Sequence, residues 1–168
     1  MNKTNNINIL FCGTGGQGVL TASEVCAWAA IFAGFQVKKS EVHGMAQRGG
    51  SVESHLRFGK EVFSPLIPQG KVDFLVPFYK DEGLRLKNLL EAKGINLLSA
   101  LETAQTAVGD KKYLNIFLLG VLSRYLAIKE ENWIKAIEKV FLNKNSEENK
   151  RIFKEGQMRP QLSERKRS

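Results

Sequence analysis

Two short segments of this 168-residue sequence collect residue types that can bind anions or transfer protons. The first is a glycine-rich run that comprises Gly13, Thr14, Gly15, Gly16, Gln17 and Gly18. The second reads EVHGMAQRGG, and its candidate binding residues are Glu41, His43, Gly44, Gln47, Arg48, Gly49 and Gly50. Glycines let a backbone bend and approach a ligand, arginine can bind a carboxylate or phosphate through several donors, and histidine can act as an acid, base or donor. Both segments therefore predict contact with a ligand.

The first segment, called the glycine turn below (residues 13–18), lies between a predicted strand and a predicted helix. Residues 7–12 form a short apolar run, and residues 19–33 carry small and apolar side chains at three-to-four spacing before Gly34. A GxGxxG turn in this position can present the free N–H groups of the helix start to a phosphate or carboxylate. The alternative, that the glycines only permit tight packing of strand against helix, stays open at this point.

The second segment follows a predicted strand at residues 35–39. Its three glycines predict tight bends that bring Glu41, His43, Gln47 and Arg48 near one another. The segment would also lie near the glycine turn if its strand neighbours the first strand. An alternative is that Arg48 and Glu41 only pair with each other and brace the loop.

A nucleotide interpretation also has to be considered. A dinucleotide enzyme places an acid near the end of its second strand to bind the ribose hydroxyls. This sequence has Lys38 and Lys39 there, which would suit the 2′-phosphate of NADP. A stand-alone NAD(P)-binding oxidoreductase domain is therefore the alternative function.

The remaining elements follow from hydropathy patterns. Alternation over residues 51–59 predicts a half-exposed strand with Val52, Ser54 and Leu56 on one side and His55 on the polar side. Further predicted elements are a buried strand at 72–78, an amphipathic helix at 80–93 ended by Gly94, a strand at 95–98, and helices at 113–128 and 130–142. The order of elements predicts a single-domain three-layer α/β/α sandwich with a Rossmann-like start and a mostly parallel sheet.

Charge is concentrated at one end of the chain. The net charge is +8, and residues 150–168 hold seven Lys or Arg against two acids, so this stretch contributes five of the eight charges. We expect one domain over residues 1–156 and a flexible basic tail over residues 157–168. A nucleic-acid-binding module that uses this tail is a third interpretation, although we expect no nucleic-acid partner.

Catalytic and metal-binding signatures are scarce. The sequence has no GxSxG, HExxH or GxxxxGK[ST] motif, two histidines, and two cysteines, Cys12 and Cys26, in apolar surroundings. An iron–sulfur cluster needs about four thiolates, so we expect no cluster, no metal site and no cofactor bound by this chain alone. Because no apolar run is long enough to span a membrane and the start lacks the apolar region of a secretory signal, we expect a cytoplasmic protein without a membrane partner.

Together the two segments resemble a known family. GTGGQGVLTASEVCAWAAIFAG followed by SEVHGMAQRGGSVESHLRFG is similar to the gamma-type domain of the 2-oxoacid:ferredoxin oxidoreductases, above all to the small beta subunit of the indolepyruvate enzymes. Fainter similarity continues through YLNIFLLG, around Asn115 and Gly120, and NSEENKRIFKEG, around Asn149 and Gly156. The similarity covers most of residues 7–156.

The resemblance implies a subunit that is inactive alone. Enzymes of this family oxidatively decarboxylate a 2-oxoacid to acyl-CoA and CO2 and pass electrons to ferredoxin. Their thiamine diphosphate and iron–sulfur clusters reside on partner subunits or domains, so the implied partners are a large subunit, ferredoxin, a 2-oxoacid and coenzyme A. By the same resemblance, the glycine turn and residues 41–50 would face the large subunit near thiamine diphosphate and coenzyme A. The resemblance assigns no proton-transfer role to His43 or Arg48, and no catalytic residue in this chain.

Overall fold

Five strands form one mixed sheet. The computed structural model describes residues 6–46, 49–142 and 145–159. The strands are β1 (Ile7–Thr14), β2 (Gln36–His43), β3 (Ser51–Gly59), β4 (Val72–Pro77) and β5 (Leu90–Asn96), in the order β2-β3-β1-β4-β5. The β1–β4 and β4–β5 pairings are parallel, whereas β3 runs antiparallel to both β1 and β2. Four strands thus point the same way, and β3 alone returns between β2 and β1.

Six α-helices accompany the sheet in the described part of the chain. They are α1 (Val19–Phe32), α2 (Lys80–Arg85), α3 (Leu98–Ala107), α4 (Leu114–Ser123), α5 (Glu130–Phe141) and α6 (Ser146–Gln157). None of the helices in the described ranges has the length and apolar character needed to cross a bilayer. The single-domain α/β fold with a Rossmann-like strand–turn–helix start is confirmed.

The two faces of the sheet are covered unequally. One face packs against α1 and α3–α6 in a large apolar core, to which β1 contributes Ile9 and Phe11 and β3 contributes Leu56 and Phe58. Within this core the hydroxyls of Ser23 and Ser54 are fully buried and lie 2.6 Å apart, so each polar group has a partner.

The other face has a much smaller core. Its members are Leu10, Cys12, Ile67, Val72, Leu75 and Leu86. They come from β1, β4, the short α2 segment and the loop before β4. The expected three layers are therefore asymmetric, since the second helical layer amounts to one six-residue helix.

The predicted helix at residues 80–93 is wrong beyond Arg85. After α2 the chain makes a 3-10 turn at Lys87–Leu89 and then enters β5, which pairs with β4. Gly94 lies inside this strand, where a Cβ would come within 2.7 Å of the Val72 carbonyl oxygen, so the glycine permits a close strand contact and does not end a helix. Sheet pairing outweighs the local helical pattern here because it satisfies the backbone of the whole segment.

The other helices show what the sequence patterns did and did not capture. The predicted helix at 113–128 is α4, which ends at Ser123, although Leu126 and Ile128 remain buried beyond it. The predicted helix at 130–142 is confirmed as α5. Two helices, α3 and α6, were not predicted. In the segment that forms α6, only family similarity and a high density of charge were noted from the sequence.

The close approach of α4 and α6 explains two glycines in the last third of the chain. A Cβ on Gly120 would overlap the carbonyl oxygen of Phe153, and a Cβ on Gly156 would overlap that of Phe117. The two helices therefore touch backbone to backbone. Because α6 continues to Gln157, the ordered fold reaches at least the expected domain end at residue 156, and residues 160–168 of the expected tail lie outside the described residues.

Candidate functional site

The glycine turn forms a compact link between β1 and α1. The Gln17 amide donates to the Thr14 carbonyl at 3.3 Å, and the Gln17 side-chain oxygen accepts from the Thr14 amide at 2.7 Å. A Cβ on Gly13 would lie 2.7 Å from that same Gln17 oxygen and 2.9 Å from Val19. Gly13 therefore permits tight packing of the strand against the helix, which was the alternative explanation of the glycines.

Packing does not explain every glycine of the turn. Gly16 has φ of 89° and no atom within 4 Å of the place where a Cβ would stand, so its side is open. Gly18, with φ of 76°, precedes α1, and no side chain caps this helix. The first N–H groups of α1 have no acceptors within the helix, which leaves them able to bind an anion.

Asn115, at the start of α4, fixes the turn from the other side. Its side-chain amide donates to the Gly18 carbonyl at 3.3 Å, and a Cβ on Gly18 would overlap the same amide nitrogen. Asn115 is only 5% exposed, and its contact with Gly18 is partly buried. The family similarity noted around Asn115 thus corresponds to a direct contact with the glycine turn.

The second segment is the connection of a β-hairpin. Residues 44–50, called the hairpin loop below, join antiparallel β2 and β3, and the Gly44 amide donates to the Ser51 carbonyl at 2.7 Å. At the far end of the loop, the Gly15 amide donates to the Gly50 carbonyl at 3.0 Å. The hairpin loop and the glycine turn are therefore in contact, although β2 does not neighbour β1, which was the condition of the prediction. The antiparallel return of β3 brings them together.

Both segments lie at one edge of the sheet. We call this the carboxyl edge: the end at which β1, β2 and β4 finish and β3 begins. The chain leaves β1 towards the large core through α1 and leaves β4 towards the small core through α2. Open α/β sheets bind ligands at such an edge, where consecutive connections diverge to opposite faces.

The side chains of the second segment are largely exposed. Nε2 of His43 lies 4.0 Å from a Glu41 carboxylate oxygen, and the other Glu41 oxygen lies 3.1 Å from Nζ of Lys39. Lys39 also contacts Glu24 at 2.7 Å, so two carboxylates surround it. Gln47 and Arg48 lie outside the described residues, and their predicted roles stay predictions.

The expected bends of the hairpin loop have different origins. Only Gly49 of its three glycines has a positive φ, at 63°. At Gly44 and Gly50 a Cβ would instead press on Ser51 and Ala46, at 3.2 Å and 3.1 Å. Two of the three glycines thus allow close approach rather than unusual backbone angles.

A group of polar residues beside the hairpin loop was not found from the sequence. This polar cluster comprises Ser51, Glu53 and His55 of β3 and Glu82 and Arg85 of α2. The Arg85 guanidinium contacts Glu53 and Glu82 at 2.6 Å each, and the Ser51 hydroxyl donates to Glu82 at 2.7 Å. The spacing of Glu82 and Arg85 suits a helical ion pair. Their contact with β3 depends on the strand order, which could not be predicted from the sequence.

The polar cluster changes the acidity of its members. A hydrogen bond from Arg85 holds the pKa of Glu82 below its usual value, and His55, 3.8 Å away, together with Arg85 lowers the pKa of Glu53. Burial, with the nearby carboxylates of Glu82 and Glu53, raises the pKa of Cys12 to about 12. Cys12 is thus a protonated core thiol.

A separate depression of about 430 Å³ lies at the opposite end of the sheet, where β1 and β4 begin. Its lining includes Asn8, Arg57 and Asp73, which bind one another: the Asn8 amide donates to Asp73 at 2.7 Å and Arg57 donates to the Asn8 side chain at 2.8 Å. Because these three residues bind one another and the depression is remote from the glycine turn, we do not regard it as the functional site.

The residues described do not fit a metal or an iron–sulfur cluster. No group of three His, Cys, Asp or Glu residues with suitable geometry occurs in residues 6–46, 49–142 and 145–159. Cys12 belongs to the small core and Cys26 to the large core, so the two buried thiols lie on opposite faces of the sheet. What the carboxyl edge offers chemically is backbone N–H groups and a shaped surface.

This fold occurs in solved structures of oxidoreductase subunits. The gamma subunit of a keto/oxoacid ferredoxin oxidoreductase from Geobacter sulfurreducens matches 89% of this chain and 95% of its own, with a TM-score of 0.72 and 25% identity. Subunit PORC of pyruvate oxidoreductase from Thermotoga maritima matches 91% of this chain with a TM-score of 0.69 and 23% identity. A 2-oxoglutarate:ferredoxin oxidoreductase from Magnetococcus marinus matches 92% of this chain with a TM-score of 0.77, over 31% of its own chain and at 16% identity.

Sequence comparison then gives the family. The family of the pyruvate ferredoxin/flavodoxin oxidoreductases matches residues 8–103 and 90–158, and the chain belongs to this family. Curated relatives include indolepyruvate oxidoreductase subunit IorB of Thermococcus kodakarensis and of Pyrococcus horikoshii, each 42% identical over 108 residues. Those matches cover 63% of this chain, and the chain spans about half the length of these relatives, 54% in each case.

Proposed function

We propose that this chain is the small, gamma-type subunit of a 2-oxoacid:ferredoxin oxidoreductase that acts on indolepyruvate or another arylpyruvate. The assembled enzyme would convert the 2-oxoacid and coenzyme A to acyl-CoA and CO2 and transfer two electrons to ferredoxin. The observation that carries the proposal is the hydrogen bond between Gly15 and Gly50, which joins the two segments of family similarity into one surface. Relatives named as indolepyruvate oxidoreductase subunits support this choice of substrate.

We infer that the cofactors of the assembled enzyme belong to a partner subunit and that this chain supplies a contact surface. The described residues offer no group of ligands for an iron–sulfur cluster. Thiamine diphosphate and the clusters would therefore belong to a larger partner subunit, where they supply the decarboxylation and electron-transfer chemistry. This chain would contribute its carboxyl edge, with the glycine turn and residues 41–50 facing the partner.

Within this edge, we assign anion binding to the open side of the glycine turn. The N–H groups at the start of α1, together with Gly16 and Gly18 of the turn, would bind a carboxylate or phosphate of the 2-oxoacid or coenzyme A. Gly16 leaves the approach open, since nothing occupies the space beside it. Gly13 and Gln17 would shape the turn without contacting the ligand.

The proposal is tested by reconstitution. The chain is coexpressed with the larger subunit that co-purifies with it from its native cell, and ferredoxin reduction is followed with indolepyruvate, pyruvate or 2-oxoglutarate. We expect turnover that requires both subunits and coenzyme A and is fastest with indolepyruvate. Turnover of a redox substrate by the isolated chain, or a stable chain that never associates with a larger subunit, would contradict the proposal.

The anion site is tested by a matched pair of variants at Gly16. Asn and Asp both tolerate a left-handed backbone and differ little in size, so Gly16→Asn controls for the side chain and Gly16→Asp adds a negative charge. In the assembled enzyme we expect Gly16→Asp to raise KM about tenfold more than Gly16→Asn does. An effect on the KM of coenzyme A would indicate a phosphate ligand, and an effect on the KM of the 2-oxoacid would indicate a carboxylate. Equal KM values for the two variants would argue against an anion site here.

The stand-alone NAD(P)-binding alternative is disfavoured by the strand order. Because β3 separates β2 from β1, the end of β2 lies two strand spacings, roughly 10 Å, from the glycine turn across the sheet. Lys39, which would have to bind a 2′-phosphate, is instead paired with Glu24 and Glu41. The nucleic-acid interpretation depends on the basic tail, of which residues 160–168 lie outside the described residues; before the tail, Lys150, Arg151 and Lys154 each pair with glutamates.

A further inference from the structure

The polar cluster lies on the small-core face at the start of β3. Arg85 is its centre, because one guanidinium nitrogen, Nη2, contacts three oxygens: Glu53 Oε1 at 2.6 Å, Glu82 Oε2 at 2.6 Å and the Ser51 hydroxyl at 3.0 Å. Nε of Arg85 also donates to Glu82 at 3.2 Å. Two carboxylates and a hydroxyl from different elements thus depend on one cation.

Burial makes this dependence strong. The side chains of Glu53 and Glu82 are 15% and 14% exposed, whereas that of Arg85 is 48% exposed. The arginine therefore covers two carboxylates that water reaches poorly. Removing the cation from such a pair leaves uncompensated charge, which is far more costly than removing an exposed ion pair.

The cluster is joined directly to the carboxyl edge through Ser51. Ser51 follows Gly50, whose carbonyl accepts the hydrogen bond of Gly15, and the carbonyl of Ser51 accepts that of Gly44. The side chain of Ser51 meanwhile binds Glu82 and Arg85. One residue therefore connects the hairpin loop, the glycine turn and α2.

We propose that Arg85 is a positioning residue: by neutralising Glu53 and Glu82, it fixes Ser51 and thereby holds the hairpin loop against the glycine turn. The contact between the hairpin loop and the glycine turn lies within this chain and does not depend on a partner. That this contact presents a preformed edge to the larger subunit rests on the function proposed above.

The variant Arg85→Met has a distinctive electrostatic consequence. The ionisable groups facing Arg85 or adjoining the cluster are Cys12 of β1, Glu53 and His55 of β3, and Glu82 of its own helix. Without the guanidinium, Glu82 loses the hydrogen bond that most lowers its pKa, and burial and the neighbouring Glu53, which raise that pKa, are then opposed only by the hydrogen bond from Ser51. Carboxyls whose folded-state pKa is raised destabilise the fold at high pH, and the penalty disappears as pH falls and they protonate. In the wild-type chain the pKa values of Glu53 and Glu82 are lowered, so these two carboxylates stabilise the fold at neutral pH and that stabilisation is lost as they protonate in acid.

The direct test is hydrogen exchange of the Gly15 and Gly44 amides in the full-length chain. We expect both to exchange about tenfold faster in Arg85→Met than in the wild type under strongly native conditions, because the edge opens locally. Arg85→Lys, which keeps the charge, should restore much of the protection, and lowering the pH should restore part of it in Arg85→Met. Arg151→Met is the matched control, because Arg151 also joins two glutamates, Glu148 and Glu155, but on the exposed face of α6.

Equal exchange of the two amides in Arg85→Met and Arg151→Met would overturn the proposal, as would an Arg85→Met effect spread evenly over all protected amides.

A second experiment separates failure of this positioning role from failure of the proposed function. If the wild-type assembled enzyme is active, Arg85→Met should lower its kcat/KM about tenfold, with Arg85→Lys intermediate. If the wild-type chain shows no such activity but the exchange result holds, the positioning role stands and the proposed function fails.

Discussion

At the scale of single residues, two glycines of the same turn differ in what surrounds them. Both Gly16 and Gly18 have positive φ, but only Gly18 faces another residue, Asn115, where a Cβ would stand. Gly16→Ala should cost about 1 kcal/mol of folding free energy, from the backbone angle alone. Gly18→Ala should cost at least about 2 kcal/mol, because steric overlap adds to the same angle. Urea denaturation of both variants measures the difference, and equal costs would show that the Asn115 contact is dispensable.

Glu82 provides a pH-dependent prediction at the same scale. Because the Arg85 hydrogen bond lowers the pKa of this acid, Glu82 stabilises the fold above its unfolded pKa, near 4.5, and that contribution is lost as pH falls through the folded value. Glu82→Gln should therefore cost about 1–2 kcal/mol at neutral pH and much less in acid. Glu102→Gln, at an exposed pair with Lys80, is the control and should have little effect at either pH. A Glu82→Gln cost that is independent of pH would refute the electrostatic explanation.

Residue-level reasoning from the sequence found the right two segments but not all their neighbours. Gly13 to Gly18 and residues 41–50 were recognisable because glycine spacing encodes backbone shape locally. Ser51, Glu82 and Asn115 were missed as neighbours of these segments because their contacts cross strands or helices far apart in the chain. Whether the predicted residues bind a ligand remains a prediction, which the Gly16 variants address.

At the scale of elements, the crossing of α4 and α6 depends on two facing glycines. Gly120→Ala would place a methyl group against the Phe153 carbonyl, and helix backbones cannot yield as flexible side chains do. We expect a loss of about 3 kcal/mol in unfolding free energy. Gly109→Ala, with nothing within 4 Å, is the control and should be nearly neutral. Chemical denaturation of the two variants compares them directly, and a neutral Gly120→Ala would mean that the helices can separate without loss.

Element predictions succeeded where a local pattern and its tertiary environment agree. The strands β1, β3 and β4 and the helices α1 and α5 were predicted close to their observed limits. The segment 80–93 failed because its leucines satisfy a helical pattern, although Leu86 completes the small core and residues 90–96 pair with β4. The residues of α6 that are buried have helical spacing, so the sequence does contain a periodic pattern that indicates this helix: Asn149, Ile152, Phe153 and Gly156.

Strand order was the main feature that the sequence could not supply. A mostly parallel sheet was expected, and in the structure two of the four pairings are antiparallel because β3 inserts beside β1. Short apolar runs do not reveal which strand will be the neighbour. The two loops do meet, but not through the expected neighbouring of β2 and β1: β3 lies between these strands and carries Gly50 to Gly15.

At the scale of the whole molecule, the two cysteines report on the two cores. Burial raises the pKa of both thiols, to about 12 for Cys12, so neither should react with an alkylating reagent in the native chain at mildly alkaline pH. If the chain unfolds as one unit, both thiols should become reactive at the same denaturant concentration. Mass spectrometry of labelled peptides gives each rate. Earlier labelling of Cys12 would show that the thinly covered face opens by itself.

The hydrogen bond from Gly15 to Gly50 also has a consequence for biogenesis. Its two partners are separated by 35 positions, and it can form only after β3 has inserted between β2 and β1. Contacts between residues distant in sequence tend to form late in folding, because a long loop must close first. A partner that recognises this edge would therefore accept only copies whose central strands are correctly assembled, and immature chains would be left out of the complex.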